Sequence, residues 1–293
     1  MKGIILAGGR GTRLSPLTII TSKQLLPVYD KPMIYYPLSS LMLAGIKDIL
    51  IISDKINIEQ YKLLFLNGSQ YGIKISYAVQ EQPNGIAESI LIAESFIGKS
   101  PFILILGDNL IHGENVGGII KNEFKNIKKE AKIFAYPVSN PRNYGVVEFD
   151  KVHRVISLEE KPIKPKSNLA VIGLYIYPNS AIKKVKKLKK SKRGELEITD
   201  LNLIYLKQKK IKAILLGRGY TWLDLGTQDM LLEAGLFVKM IQDRTNRKIA
   251  CIEEIAYNNN WITQSNLKKF LKFRGNSKYY NYIKNLFNIN FNC

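Results

Sequence analysis

Gly3-Ile4-Ile5-Leu6-Ala7-Gly8-Gly9-Arg10-Gly11-Thr12-Arg13-Leu14 stands almost at the N-terminus. Gly3–Ala7 is a short apolar run of the kind found in a strand buried on both faces. Glycines and arginines follow at once. Glycine lets the backbone take positive φ and approach a ligand closely. Successive N–H groups in such a loop form a concavity that suits anions. Arg13 adds a planar fork matched to phosphate oxygens, and Lys23 can add a point charge. A buried strand feeding a phosphate-type loop points to an α/β fold with ligands beyond the carboxyl ends of its strands.

Two better-known glycine loops are excluded. A P-loop needs Gly-Lys-Ser/Thr after its spacer, which is absent. A dinucleotide fingerprint needs a third glycine where Leu14 stands. The opening run also looks superficially like a signal peptide, but it is too short and Arg10 and Arg13 follow directly. It reads as a first strand, and the expected location is cytoplasmic.

Outward from the loop, short apolar runs alternate with helical patterns. Strands are expected at Gly3–Ala7, Asp48–Ser53, Ile75–Val79 and Phe102–Leu106, with helices at Met33–Ala44, Ile58–Leu66 and Ile86–Phe96. This alternation predicts a Rossmann-like, mostly parallel (mixed) sheet flanked by helices. The next part is strand-rich: Lys132–Val138, Gly145–Phe149, Val155–Leu158 and Leu169–Tyr177. Helices are expected again at Ser180–Leu188 and Glu197–Lys207. Strands at Lys212–Leu216 and Thr221–Leu223 precede a long helix from Thr227 to about Arg244. A further short helix is expected near Leu267–Phe270. The expected organisation is a catalytic domain over residues 1–250, with a nucleotide side to about 110 and a β-rich sugar side over about 111–227. A helical or irregular appendage, 251–293, follows.

The chain has 293 residues and a formal net charge of +20. The lysines are spread widely. Their densest run, Lys183 to Lys192, surrounds Ile182, Val185 and Leu188 at helical spacing, which reads as an amphipathic helix rather than a nucleic-acid surface. Neither nucleic acid nor membrane is an expected partner, and no run approaches the ~18 apolar residues of a membrane span. The two cysteines, Cys251 and Cys293, lack metal-ligand spacing.

The full string Leu6–Thr18, with Ser22-Lys23-Gln24-Leu25-Leu26-Pro27 and Asp30-Lys31-Pro32, resembles the signature of sugar-phosphate nucleotidyltransferases, closest to their thymidylyltransferase branch. Leu106-Gly107-Asp108-Asn109, Tyr144–Phe149, Leu158–Pro162, Arg193–Asp200 and Trp222–Thr227 extend the match to roughly residue 255. The resemblance implies an enzyme joining dTTP to α-D-glucose 1-phosphate, with Mg²⁺ as cofactor and a homotetrameric assembly. UTP- or CTP-dependent transfer to the same sugar is the alternative within the class, because one methyl separates thymine from uracil. A non-catalytic relative and a nucleic-acid binder are alternatives from other classes; the presence of Arg13, Lys23, Asp108 and Asp224 argues against the first.

Site residues are implied one by one. Arg13, Lys23 and Asp108 are the expected catalytic groups. Leu6, Gly8, Gly9, Gly11, Thr12, Arg13, Gln80 and Gly85 would hold the nucleotide, the last two at the pyrimidine edge. Lys23, Tyr144, Gly145, Glu160, Lys161, Val171, Gly173, Tyr175 and Arg193 would hold the sugar phosphate. Asp108 and Asp224 would bind the metal. Two positions depart from the family pattern: Asn84 stands where Asp is usual, and Glu88 where Gln is usual. Glu88 brings a negative charge close to the base loop.

Overall fold

A computed structural model of the chain describes residues 1–9 and 11–289. Among them nine strands form one sheet. Lys74–Val79, Asp48–Ser53, Lys2–Leu6 and Phe102–Leu106 lie side by side and parallel. Leu169–Tyr177 then runs antiparallel to Phe102–Leu106 and pairs with both Gly145–Phe149 and Ala131–Pro137. Val155–Glu160 closes one branch antiparallel, and Ile211–Leu215 the other in parallel. The sheet is mixed and lies between helices, as the alternation of patterns predicts.

The apolar runs are explained by burial on two faces. Ile5, Ile49, Ile51, Ile103 and Ile105 enter one buried cluster. Ile4, Leu50, Ile52 and Leu104 alternate with them and enter the other. A strand covered on both faces has no polar side, so its sequence shows no two-residue alternation. In-register pairing of Leu6 with both Ile52 and Leu106 brings three strand ends level. Gly8, Asp54 and Asp108 therefore leave the sheet at the same edge.

A separate two-stranded ladder, Asn109–Gly113 with Tyr220–Asp224, sits at that edge. The sequence pattern predicts its second strand and not its first. Nor does it predict the helix Val116–Lys125. Both elements follow directly on the Phe102–Leu106 strand, and Gly117 and Gly118 weaken the helical pattern. Residues from Cys251 on form helices Ile252–Asn258, Gln264–Leu271 and Lys278–Leu286. Their Ile252, Ile255, Leu267 and Ile283 join the same buried cluster as Ile5 and Tyr35. Residues 290–293, Cys293 among them, lie outside the described residues.

Two expected helices are shorter or interrupted. The lysine-rich one spans only Ala181–Val185. Ile182 and Val185 are buried as the spacing predicts, but lysines three and four apart repel along a continued helix. The chain instead departs, and Lys190 reaches Asn84. The expected helix Ile86–Phe96 is found as Glu88–Ile92 and Glu94–Ile97, divided at Ala93, whose ψ is 3°. The Ser89 hydroxyl bonds back to the Ile86 carbonyl, a local competitor of helical pairing.

Candidate active site

Gly8 and Gly9 leave the first strand beneath a cavity of about 570 Å³. Gly9 and Gly11 have φ of 104° and 58°, in the left-handed region that glycine takes without strain. Gly11 is also crowded: a Cβ there would stand 2.9 Å from the Thr18 methyl and 3.3 Å from Lys23 Cβ. The loop is braced from behind. Gln24 Nε2 donates to the Gly8 carbonyl at 3.2 Å, and its own carbonyl accepts from Ser22 Oγ at 2.6 Å.

Lys23 is buried at the start of a short 3-10 turn, Lys23–Leu25. Its ammonium donates to Asp108 Oδ2 at 2.6 Å. Asp108 follows the strand Phe102–Leu106 by two residues. Burial pushes its carboxyl up, but the Lys23 charge and hydrogen bond prevail and hold it below the usual carboxylate range. Asp224 ends the facing strand, opposite Asn109 in register. Burial, and then the neighbouring Asp108 carboxylate, push Asp224 up to about 6, against the pull of Lys23, Arg13 and Lys161. Two carboxylates thus converge where three cationic side chains act on one of them.

Arg13 is brought in by the turn Thr12–Leu14, whose Leu14 is buried. Its guanidinium lies on Gly226, where a Cβ would stand 3.0 Å from Arg13 Nη2. The absence of a side chain at Gly226 gives Arg13 its seat beside Asp224.

The second half of the site is built on the antiparallel strands. Gly145 opens one strand, and a Cβ there would meet Glu160 Oε2 at 3.4 Å. Glu160 accepts from Thr199 Oγ1 at 2.5 Å. Its neighbour Glu159 turns the opposite way and pairs with Lys166 at 2.8 Å, as strand alternation requires. Val171, Gly173 and Tyr175 share one face of Leu169–Tyr177. Tyr175 is buried, and its hydroxyl is pushed up first by burial and then by Glu160 and Asp108. The Tyr144 hydroxyl is raised by burial and by the Asp224 carboxylate beside it. Lys161 follows Glu160 at positive φ, its amide bonded to the Tyr144 carbonyl. Arg193 reaches Glu160 at 3.8 Å, together with Glu195 and Glu197.

A nucleotidyl transferase family profile matches residues 2–240. The chain belongs to the nucleotidyl transferase family. It is 50% identical over 286 residues to a glucose-1-phosphate thymidylyltransferase of Neisseria meningitidis, covering 98% of this chain and 99% of the relative. It is 48% identical to the Mycobacterium tuberculosis protein of that name, with the same coverage. Among solved structures, a Bacillus anthracis protein assigned as a glucose-1-phosphate thymidylyltransferase, in complex with sucrose, is 39% identical. It matches with a TM-score of 0.76 over 81% of this chain and 94% of that one. A UDP-glucose pyrophosphorylase complexed with UDP-glucose is 27% identical, with a TM-score of 0.71 over 82% of this chain and 98% of that one.

In this nucleotidyl transferase the sequence-expected residues fall into two groups along one edge of the sheet. Leu6 ends a parallel strand, and Gly8, Gly9, Gly11, Thr12, Arg13, Gln80 and Gly85 come from the loops after parallel strands. Tyr144, Gly145, Glu160, Lys161, Val171, Gly173 and Tyr175 come from the antiparallel part, and Arg193 from the loop before the helix Ile198–Lys207. Lys23, Asp108 and Asp224 lie where the groups meet. Arg193 spreads over three carboxylates rather than facing one.

Asn109 is a residue to which the sequence pattern assigns no part. It is 3% exposed. Its Nδ2 donates to Asp108 Oδ1 at 3.0 Å, and its Oδ1 accepts from Trp222 Nε1 at 2.6 Å and the Gly173 amide at 3.1 Å. It ties Asp108 to both halves of the site. The one signal for it in the sequence is its place next to Asp108 in the quoted motif. Trp222 packs beneath the site, its ring 5.2 Å from Tyr144.

Proposed function

We propose that this enzyme transfers a thymidylyl group from dTTP to α-D-glucose 1-phosphate, giving dTDP-glucose and pyrophosphate. The observation that carries the reading is the meeting of Lys23, Asp108 and Asp224 beside the glycine loop. The thymidylyltransferase names of relatives half identical over nearly the whole chain support the choice of substrates.

An oxygen of the sugar phosphate attacks the α-phosphorus. The bond from that phosphorus to the bridging oxygen breaks, and pyrophosphate leaves with its electron pair. No covalent bond to the protein is needed, so the work of the chain is positioning and charge neutralisation. Glycine-loop amides and Arg13 hold the triphosphate. Lys23 sits between the two anions. Glu160 accepts from sugar hydroxyls, while Lys161 and Arg193 hold the sugar phosphate. Gln80 and Gly85 meet the base.

Asp108 and Asp224 would hold Mg²⁺. Among the described residues no cluster of three or more ligating side chains occurs, but two converging carboxylates suit an ion that takes its other oxygens from water and substrate phosphates. When bound, the ion neutralises phosphate charge. The same reading places the enzyme in the cytoplasm as a homotetramer, and among the described residues no helix is long and apolar enough to cross a membrane.

The test is pyrophosphate release from dTTP, UTP, CTP and ATP with glucose 1-phosphate, with and without Mg²⁺. Release with dTTP in preference to the others is expected. A marked preference for UTP would replace the assignment, and no release with any nucleotide would end it. Light scattering checks the tetramer.

A further inference from the structure

Gln80 follows the strand Lys74–Val79 and borders the cavity beside the glycine loop. An amide's oxygen and nitrogen are nearly alike in shape, so only its partners define which way it faces. Here the partners are decisive. Gln80 Nε2 donates to Glu88 Oε2 at 2.8 Å and approaches the Gly85 carbonyl at 3.3 Å. A carboxylate accepts and cannot donate, and neither can a carbonyl. The nitrogen must face Glu88. The Gln80 carbonyl then points the other way, with Oε1 3.1 Å from the place a Cβ on Gly8 would occupy.

A second amide is locked by the same carboxylate. Asn84 Nδ2 donates to Glu88 Oε1 at 2.8 Å, and Lys190 Nζ donates to Asn84 Oδ1 at 2.9 Å. The ammonium can only donate and the carboxylate can only accept, so the chain Lys190, Asn84, Glu88, Gln80 has one possible direction. The negative charge that Glu88 brings to the base loop is thereby taken up by two amide NH₂ groups.

We propose that Glu88 is a positioning residue that locks the Gln80 carbonyl toward the cavity. The cavity then presents an acceptor to the base and selects a pyrimidine with a protonated ring nitrogen, as in thymine, over cytosine, whose ring nitrogen is itself an acceptor. The inference rests on the nucleotide reading above. Beside Asn84, rather than the usual Asp, a glutamine at position 88 no longer fixes Gln80, because an amide both donates and accepts, whereas an Asp at 84 could only accept and would itself fix that glutamine. Shape would be kept and direction lost.

The test compares wild type, Glu88→Gln, Gln80→Ala and the double variant, with dTTP and dCTP as substrates. Glu88→Gln is nearly isosteric, and its thermal unfolding checks the fold. The expected result is a dTTP KM raised about tenfold with kcat within about twofold, because the base lies away from the reacting phosphorus. The dTTP-to-dCTP ratio of kcat/KM should narrow by about tenfold, the size of one modest hydrogen-bond difference. In the Gln80→Ala background the same substitution should change nothing further. Unaltered KM and selectivity in Glu88→Gln would overturn the proposal. So would an effect that persists undiminished without Gln80, since Glu88 would then act on the fold alone. If wild type fails to turn over dTTP, the transfer reading has failed separately. Calorimetric binding of dTTP and dCTP to wild type and Glu88→Gln then decides the positioning role, with unchanged relative affinity as the overturning result.

Discussion

Lys23 Nζ and Asp108 Oδ2 lie 2.6 Å apart although 85 positions separate them in the chain. Lys23 comes from the turn that follows the glycine loop, Asp108 from the end of the neighbouring parallel strand. Their pairing offsets one of two carboxylates that would otherwise face each other.

Removal of Lys23 as Lys23→Met keeps much of the aliphatic stem and deletes the charge. Activity should fall on the order of 10²–10³-fold, as for loss of one charge-stabilising donor. Pyrophosphate release measures the loss, and circular dichroism checks the fold. Activity within tenfold of wild type would remove Lys23 from the reacting centre.

Gly226→Ala separates a role for Arg13 from general stability. The atoms nearest the added methyl are those at the far end of a flexible side chain, the Arg13 guanidinium at 3.0 Å. Gly226 is buried, but the neighbour that must give way is flexible, so unfolding free energy should change by about 1 kcal/mol or less. The kcat/KM for nucleotide should nevertheless drop about tenfold or more, because small misplacements of a positioning group are costly. A drop in stability without a drop in kcat/KM would contradict this.

Asn109→Ala should destabilise. It leaves the indole N–H of Trp222 and the Gly173 amide without their acceptor, in a buried setting. With roughly 1–3 kcal/mol for each unsatisfied group, and water replacing part of the loss, about 2–4 kcal/mol is expected. Denaturant unfolding reads it. Asp108 also loses a donor, so activity should fall beyond what the lost folded fraction explains.

Asp30 gives a pH prediction away from the site. It pairs with both Lys31 and Lys248 and accepts from Gln242 at 3.2 Å. Burial raises its carboxyl, but the two lysines prevail and hold it below its ordinary value. Lys31 is not a symmetric partner: burial loosens its proton more than Asp30 secures it. A depressed folded value means stability that is fully present above the unfolded value of ~3.9 and lost as pH falls through the folded one. Asp30→Asn should therefore cost roughly 3 kcal/mol near neutrality, and the gap should close progressively below about pH 4. Urea denaturation across that range measures it; a gap independent of pH would refute it.

The strands of the sheet and most of its helices are legible in the sequence, because each rests on local pattern. Asp48–Ser53 and Leu169–Tyr177 match their expected bounds. Buried runs, glycines and periodic stripes act over a few residues. Local pattern misleads where like charges crowd one face: the lysine-rich helix stops at Val185, and Lys190 turns to the distant amide of Asn84. Asn109 is legible as part of a motif and illegible as a tie, because its partners Gly173 and Trp222 are far away along the chain.

By itself, the sequence determined the strand-and-glycine-loop start, the family and the set of charged groups that meet phosphate. Those depend on residue type and spacing alone. Only the tertiary structure decided that Arg13 lies on Gly226, that the Asp108 carboxylate acts on Asp224, and that Gln80 turns its amide nitrogen to Glu88. Proton affinity and amide direction are set by partners at a few ångströms, and the fold, not chain position, chooses those partners.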